Sequence, residues 1–446
     1  MLKKQLAMFS GKTLGKLSRM LGHQGTTLPG VVALKMDPRI LQKMAKQITQ
    51  FIFITGTNGK TTTSNLLTHL LRSAGLKILN NAEGANMITG ITACFINQAP
   101  LFGKLKYDYA VLEVDEATMP VILKQVSPKM IIVTNFFRDQ LDRYGEIDML
   151  IKDLEKSIHP IDTKLILNAD DPFVFRLNAL DKSKTFYGLH KGAYPFGNYG
   201  TSESKYCSVC GDEIQYDHIH FNQLGFYHCA CGFKRPTPHY EIESIHSTPL
   251  TFTLQNETYH TKMTGAYNAY NALAAIACAK ELGVEPDYIR ESLQSYHTEN
   301  GRMQLFYHKG YPYILNLNKN PSGTNAALTE ILLTDYQKQI VFVINDFIAD
   351  GLDVSWIWDV DFECLQRLDM TRIICSGSRA ADIALRLKYA GIDESRIIIE
   401  PAIQAAIQTA FKYPMPTYLL PTYTALEQVK NELNRGVNQA YEASSL

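Results

Sequence analysis

The sequence predicts an α/β protein: a doubly wound central unit, interrupted by a cysteine-rich insertion and followed by a second α/β unit. Three observations predict it. Short β-rich runs alternate with helically spaced stretches. A glycine-containing loop, Gly56-Thr57-Asn58-Gly59-Lys60-Thr61-Thr62, lies between one such run and a helix. Two close cysteine pairs then break the rhythm, which resumes afterwards.

The chain has 446 residues, enough for about two to four domains. It carries 44 basic and 44 acidic residues, so it lacks the clustered basic excess of a nucleic-acid binder. Its apolar runs are strand-sized, which predicts no transmembrane helix. Residues 1–21 interleave Lys3, Lys4, Lys12, Lys16 and Arg19 with Leu, Met and Phe, without the continuous apolar run of a secretory signal. That pattern predicts an amphipathic helix, which either packs on the next domain or lies on a membrane surface. Cys94, Cys278, Cys364 and Cys375 stand in apolar contexts as buried thiols, and the other four cysteines cluster. Both facts fit a reducing cytoplasm.

Along the chain, residues 51–54 read as a strand, and 64–73 after the loop read as a helix. Residues 109–112, 130–133 and 165–167 are further strands, with a helix at 147–158. The insertion runs from about 199 to 238. An Ala-rich helix follows at 265–282, and Gly301-Arg302-Met303 marks a joint. Beyond it, 313–317, 340–344 and 372–375 read as strands, with helices at 380–390 and 403–411. The expected division is a leader segment at 1–35, a central domain at 36–298 and a C-terminal α/β domain at 299–446.

The chemistry follows from residue types. Glycines let backbone N–H groups curl around phosphate oxygens at a helix N-terminus. Lys60 would reach the β- and γ-phosphates of ATP, and Thr61 would offer its hydroxyl to Mg²⁺. Only Thr57 and Asn58 separate Gly56 from Gly59, fewer than in the Walker pattern, but strand, loop and helix stand in the required order. Glu113, Asp115 and Glu116 end a strand and suit Mg²⁺, a hard cation; the plain alternative is a solvated strand end. Cys207-x-x-Cys210 and Cys229-x-Cys231, eighteen residues apart, have the ligand chemistry of a closed Zn²⁺ ribbon. The alternatives there are a redox pair or scattered core thiols. Asp346, Asp350 and Asp353 form an acid-rich segment after the 340–344 strand, where function gathers in open α/β sheets; the plain alternative is a solvated turn.

The string Thr55–Thr63 resembles the ATP loop of the Mur ligase family, which includes folylpolyglutamate synthase. Other marks follow in family order: Glu113-Val114-Asp115-Glu116, Thr134-Asn135, Asp139-Gln140-Leu141-Asp142-Arg143-Tyr144-Gly145, Asn168-Ala169-Asp170-Asp171-Pro172, Gly265-Ala266-Tyr267-Asn268 with Asn271, and Arg302. The likeness runs from about Gly25 to the C-terminus. It implies Mg²⁺ on Thr61 and Glu113, ATP on Thr57, Asn58, Gly59, Lys60, Thr61 and Thr62, adenine near Asn268, and Arg302 reaching ATP. Gln140 stands where most of the family has His, which implies a weaker or water-mediated second metal site. Glu155 falls near the position of the family's carbamylated lysine, so a permanent carboxylate would serve there.

Two features narrow the resemblance. Fifty residues before the loop's strand leave little room for the N-terminal domain that grips a UDP handle, and the Cys₄ insertion is unusual. With Gly25–Gly30, Glu83–Met87, Cys231–Pro236 and Asp350–Trp356, they resemble one branch of the family. That branch amidates the α-carboxylate of D-glutamate in the lipid II stem peptide through an acyl phosphate. It implies a heterodimer with a GatD-type glutamine amidotransferase that delivers ammonia, and a cytoplasmic enzyme acting at the inner face of the membrane. It also points to Asp353 as the residue reaching the partner's catalytic histidine, with Asp346 and Asp350 as rivals. Two other readings stand beside it: a folylpolyglutamate-type ligase that adds an amino acid, and a nucleotide-gated scaffold without chemistry.

Overall fold

A computed structural model describes residues 2–20, 26–82, 85–100, 105–137, 147–195, 204–247, 249–298, 301–333, 336–368 and 372–444, the side chains of 2, 18, 19 and 437–444 excepted. Gly25, Glu83, Gly84 and the segment 139–145 with Gln140 lie outside these residues.

Three helices open the chain: α1 (Leu2–Met20), α2 (Leu28–Met36) and α3 (Ile40–Ala45). Then come β1 (Gln50–Thr55), α4 (Lys60–Ser73), β2 (Ile78–Asn80), α5 (Ile88–Gln98), β3 (Tyr109–Glu113), β4 (Met130–Val133), β5 (Lys164–Asn168) and β6 (Lys184–Leu189). The six strands pair in parallel in the order β6-β5-β4-β1-β3-β2. Side chains alternate across a strand, so β1 serves two cores. Ile52 and Ile54 join α4 and the Tyr267–Glu281 helix on one face. Phe51 and Phe53 join α5 and the N-terminal helices on the other. A strand buried on both faces has to be apolar throughout, which is why Phe-Ile-Phe-Ile reads so clearly.

The sheet continues past the parallel core. β9 (Tyr240–Ser247) pairs in parallel with β6, and β10 (Leu250–Leu254) and β11 (Glu257–His260) extend it as an antiparallel meander to nine strands. This meander is an addition to the expected parallel sheet. Its strands are half polar, as suits a sheet edge with one wet face.

Between β6 and β9 lies the insertion, a two-stranded hairpin of β7 (Gln215–Phe221) and β8 (Leu224–His228). It is bound to the main sheet by a buried ion pair. Arg235 Nε donates to Asp170 Oδ1 at 2.7 Å, and its Nη2 donates to Leu189 O and Glu241 Oε1. Asp170 also accepts from Tyr270 Oη at 2.6 Å and from Leu189 N. Its side chain is wholly buried, and the guanidinium also lies over the Phe226 ring. Gly188 makes room for the pair: a Cβ there would stand 2.5 Å from Asp170 Oδ1.

The remaining strands, β12 (Gln304–His308), β13 (Tyr311–Leu315), β14 (Gln339–Val343), β15 (Arg372–Ser376), β16 (Ile397–Ile399) and β17 (Thr417–Pro421), form a second sheet. Its order is β12-β13-β17-β14-β15-β16, parallel except for the β12 edge. Among the described residues, no helix is long and apolar enough to cross a membrane.

Removing one member of a buried ion pair leaves the other charge uncompensated. Arg235→Met is therefore expected to destabilise the central unit by about 3–5 kcal/mol, read as a lower denaturant midpoint by tryptophan-independent circular dichroism. A midpoint within error of the parent would mean that Asp170 is held by Tyr270 and the backbone alone.

Candidate active site

The phosphate loop begins where β1 runs out between β3 and β4. Ile54 pairs with Glu113 on one side and Thr55 with Val133 on the other. The chain therefore leaves the sheet in the crevice beyond the carboxyl ends of parallel strands. Gly56 and Gly59 have φ of 120° and 88°. Neither has space for a side chain. A Cβ on Gly56 would lie 2.3 Å from Thr134 Oγ1, and one on Gly59 would lie 2.1 Å from Asn271 Oδ1.

The end of β4 holds the loop in shape. Thr57 N donates to Asn135 O at 2.8 Å, and Asn58 N donates to Asn135 Oδ1 at 2.9 Å. Thr134 Oγ1 and Asn135 Nδ2 donate to Asn58 O at 2.8 and 3.0 Å. α4 then starts at Lys60 with no side-chain cap. Its first-turn N–H groups and the positive end of the helix dipole face the cleft.

Lys60 is buried. Its Nζ donates to Glu116 Oε1 at 3.1 Å and Oε2 at 3.3 Å, and to the carbonyls of Thr57 and Gly56. Burial pushes the Glu116 carboxyl above its ordinary range, and the Lys60 charge opposes that rise. Glu113 is 3% exposed. Its Oε1 accepts from Asn86 Nδ2 at 2.8 Å, whereas its Oε2 is buried without a hydrogen-bond partner. A buried carboxylate oxygen in that condition has chemistry suited to a hard cation. Thr61 lines the cleft beside the loop.

The second sheet closes the cleft. Asn58 Nδ2 donates to Ser322 Oγ at 2.6 Å, and Asn320 Nδ2 donates to Asn58 Oδ1 at 3.3 Å. Ser322 opens the Pro321–Leu332 helix, which Asn320 caps by accepting from Gly323 N. Tyr267 Oη donates to Asn316 Oδ1 at 3.1 Å, joining the two units again. Phe221 and Leu224 at the hairpin tip line the same cleft, and so does Arg302.

The expected site residues fall into groups. Asn58, Gly59, Thr61, Thr62 and Arg302 line the cleft, with Thr57 and Lys60 beneath it. Asn268 is turned inward: its Nδ2 donates to Thr264 O, and its Oδ1 accepts from Asn271 Nδ2 at 2.9 Å. Asn271 and Tyr267 are the residues of that segment that reach the cleft. Glu155 faces Arg176 at 3.8 Å and is not among the lining residues. Two participants escaped sequence reasoning. Glu116 as the partner of Lys60 has no local signature. The Asn320-Pro321 helix start has one, since Asn at the N-cap followed by Pro is a strong initiation signal.

The four cysteines meet. Their sulfurs all lie within 4.8 Å of one another, with Cys207–Cys231 at 3.6 Å and Cys210–Cys229 at 3.4 Å. A tetrahedral metal with bonds of about 2.3 Å holds its sulfurs about 3.8 Å apart, close to this spacing. Gly211 and Gly232, at φ 83° and 92°, turn each knuckle. Although burial opposes it, N–H donors from Cys210 and Val209 bring the Cys207 thiol down to about 7, toward the thiolate that binds metal.

The three acids of the C-terminal segment differ. Asp350 is buried, with its oxygens taken by Thr424 N and Oγ1. Asp346 is held by Ser378 Oγ and Arg379. Asp353 is exposed and accepts from Ser355 N at 2.8 Å, which keeps its carboxyl below the usual range. Phe347, Leu352 and Trp358 are exposed in the same stretch.

A phosphate loop at the end of a parallel sheet, a carboxylate one strand away and a second α/β unit closing the cleft define a Mur-type ligase. Family models agree: a Mur ligase middle domain matches residues 54–279, and a MurT ligase C-terminal domain matches 317–426. The chain is 44% identical over 430 residues to the MurT subunit of lipid II isoglutaminyl synthase (glutamine-hydrolyzing) from Staphylococcus aureus strain COL, covering 96% of this chain and 97% of that one. It is 34% identical to the subunit of the same name from Streptococcus pneumoniae, covering 97% of each. Solved structures with the same fold include a pseudomurein peptide ligase type C from Methanothermus fervidus, with TM-score 0.67, 23% identity and coverage of 89% of this chain and 80% of that one. MurF from Acinetobacter baumannii superposes with TM-score 0.64 at 19% identity, over 90% and 80%. The chain belongs to the MurT branch of the Mur ligase family and is a carbon–nitrogen ligase.

Gly59→Ala would force a residue with a Cβ into a left-handed backbone and onto the Asn271 amide. It is expected to lower stability by about 1–2 kcal/mol and to displace Asn271 from the cleft. Chemical unfolding and an amide-resolved NMR spectrum would report both; an unchanged Asn271 side-chain resonance would contradict the second.

Proposed function

We propose that this chain is the synthetase subunit of a lipid II isoglutaminyl synthase: it amidates the α-carboxylate of D-glutamate in the stem peptide of lipid II, at the expense of ATP. The observation that carries the reading is the buried Glu113 carboxylate oxygen without a hydrogen-bond partner, one strand from the Gly56–Gly59 loop. Full-length similarity to proteins named for that activity supports the substrate.

The substrate carboxylate takes the γ-phosphoryl group of ATP, giving an acyl phosphate and ADP. Loop N–H groups and the start of α4 hold the phosphates, and Lys60 exchanges Glu116 for the transferring oxygens. Glu113 and Thr61 would hold Mg²⁺, which supplies charge neutralisation at the phosphates. Ammonia then attacks the acyl carbon through its lone pair; the carbon–oxygen bond to phosphate breaks and a proton is lost, leaving the amide and inorganic phosphate. Arg302 and Asn271 orient the nucleotide from the cleft wall.

Ammonium is a poor nucleophile, so ammonia released beside the acyl phosphate has an advantage. A GatD-type glutaminase subunit is the proposed source, docked on the C-terminal unit. Asp353 is the proposed carboxylate that orients the partner's catalytic histidine, because Asp350 and Asp346 are already committed to Thr424 and Arg379. The exposed Phe347, Leu352 and Trp358 would flank that contact. The Cys207, Cys210, Cys229 and Cys231 set is proposed to hold structural Zn²⁺.

Asp353→Asn in the two-subunit enzyme is expected to lower glutamine-driven amidation by up to about ten-thousandfold while sparing amidation from high free ammonium. Lys60→Ala should abolish both. Equal loss from the two nitrogen sources would move Asp353 to the synthetase chemistry, and no loss would leave it a surface turn residue.

Elemental analysis of the purified chain should give about one Zn²⁺ per chain, lost in Cys207→Ser/Cys229→Ser. A metal-free chain of unchanged stability would remove zinc from the account.

A further inference from the structure

α1 has two apolar faces of opposite kinds. One is made of small residues, Ala7, Gly11 and Gly15, all buried. A Cβ on Gly11 would lie 3.1 Å from Pro29 O, and one on Gly15 would lie 3.1 Å from Pro29 Cγ. These small residues let the backbone of α1 press directly on α2. Met8 and Leu14 are partly buried on that side, but four large apolar residues face the other way. Leu6 is 51% exposed, Phe9 60%, Leu17 51% and Met20 83%. At about 100° per residue the four fall within an arc of about 80°. A helix that used its apolar stripe for packing would bury these side chains rather than glycines.

Charge gathers at the same end of the molecule. Residues 1–50 hold nine lysines and arginines and one acid, Asp37, in a chain with 44 of each sign. That acid is already paired with Lys43 at 2.7 Å. Lys3 and Lys16 are exposed and flank the apolar arc on its two sides. A basic, one-sided apolar helix is the form that lies in the plane of a bilayer interface. A second copy of the chain is a poor occupant, because it would bring the same excess of positive charge to the contact.

We propose that α1 is a membrane-surface anchor, with the Leu6, Phe9, Leu17 and Met20 edge entering the acyl boundary of an anionic leaflet and Lys3 and Lys16 meeting lipid phosphates. The inference rests on the proposed function, since a lipid-linked acceptor is presented at a bilayer. The anchor holds the enzyme against the surface that carries its substrate and raises the local concentration of acceptor.

The test is flotation of the full-length chain with phosphatidylglycerol-containing vesicles and with pure phosphatidylcholine vesicles. The expected result is binding to the first, little to the second, and loss in high salt. Leu6→Ser/Phe9→Ser/Leu17→Ser should weaken binding by about tenfold or more, and Lys3→Glu/Lys16→Glu should weaken it independently. Both variants should keep the parent's circular dichroism and its amidation of a water-soluble stem-peptide acceptor. Absence of flotation by the parent chain, or equal flotation by all three proteins, would overturn the anchor. So would a stripe variant whose only change is in sedimentation mass or in binding the glutaminase subunit, since the stripe would then be a protein interface. A chain that amidates the soluble acceptor yet ignores vesicles ends this inference and leaves the proposed function intact. One that floats through the stripe but amidates nothing supports the anchor and ends the function.

Discussion

Asn58 is the point on which the site depends. Its backbone is fixed by Thr134 and Asn135 at the end of β4, and its side chain is fixed by Asn320 and Ser322 at the start of a helix in the other unit. One residue therefore sets the curl of the phosphate loop and its contact with the closing unit. At Asn58 the joint is made of hydrogen bonds, and Tyr267 and Ala326 add apolar contact between the units. Each such bond contributes only about 0.5–1.5 kcal/mol net, so their larger effect is to fix the direction in which the closing unit meets the loop.

Much of this was legible in the sequence because the relevant signals are local. A strand buried on both faces must be apolar throughout, so 51–54, 109–112 and 130–133 stand out. The loop after 51–54 needs glycine where φ is positive, and Gly56 and Gly59 occupy those places. Paired cysteines with a hairpin-sized gap give the ribbon, and the four sulfurs do converge. What was not legible is long-range. The meander at 240–260 has polar alternation and lies on an edge, so its strands owe their existence to pairing with β6. α5 is built from Ile, Thr and Cys, which prefer strands, and it is helical because two N-terminal helices and the sheet bury one side of it. The Lys60–Glu116 pair spans 56 residues and has no spacing that would announce it.

The acid-rich segment shows the same limit at finer grain. Residue type and spacing offered three aspartates within eight positions, and only the family resemblance favoured Asp353 over Asp346 and Asp350. Structure separates them by commitment: one caps a buried turn through Thr424, one pairs with an arginine, and one stands in solvent with a single backbone donor. Type and spacing identify the candidates for a chemical task. Which of them is free to perform it is decided by what the others are already bonded to.

The hairpin of the insertion has a further consequence. Its tip contributes Phe221 and Leu224 to the cleft beside the loop, and Gln223 reaches across to donate to Phe136 O at 2.6 Å. Part of the cleft wall thus belongs to a small module with few apolar contacts of its own, with four converging thiols at its far end and Arg235 fastening its side. Local unfolding follows the weakest cooperative unit, not the global fold. The wall is therefore only as durable as the ribbon behind it, and oxidants that pair its thiols would reshape the cleft from the opposite end of a hairpin, while the nine-stranded sheet stays intact.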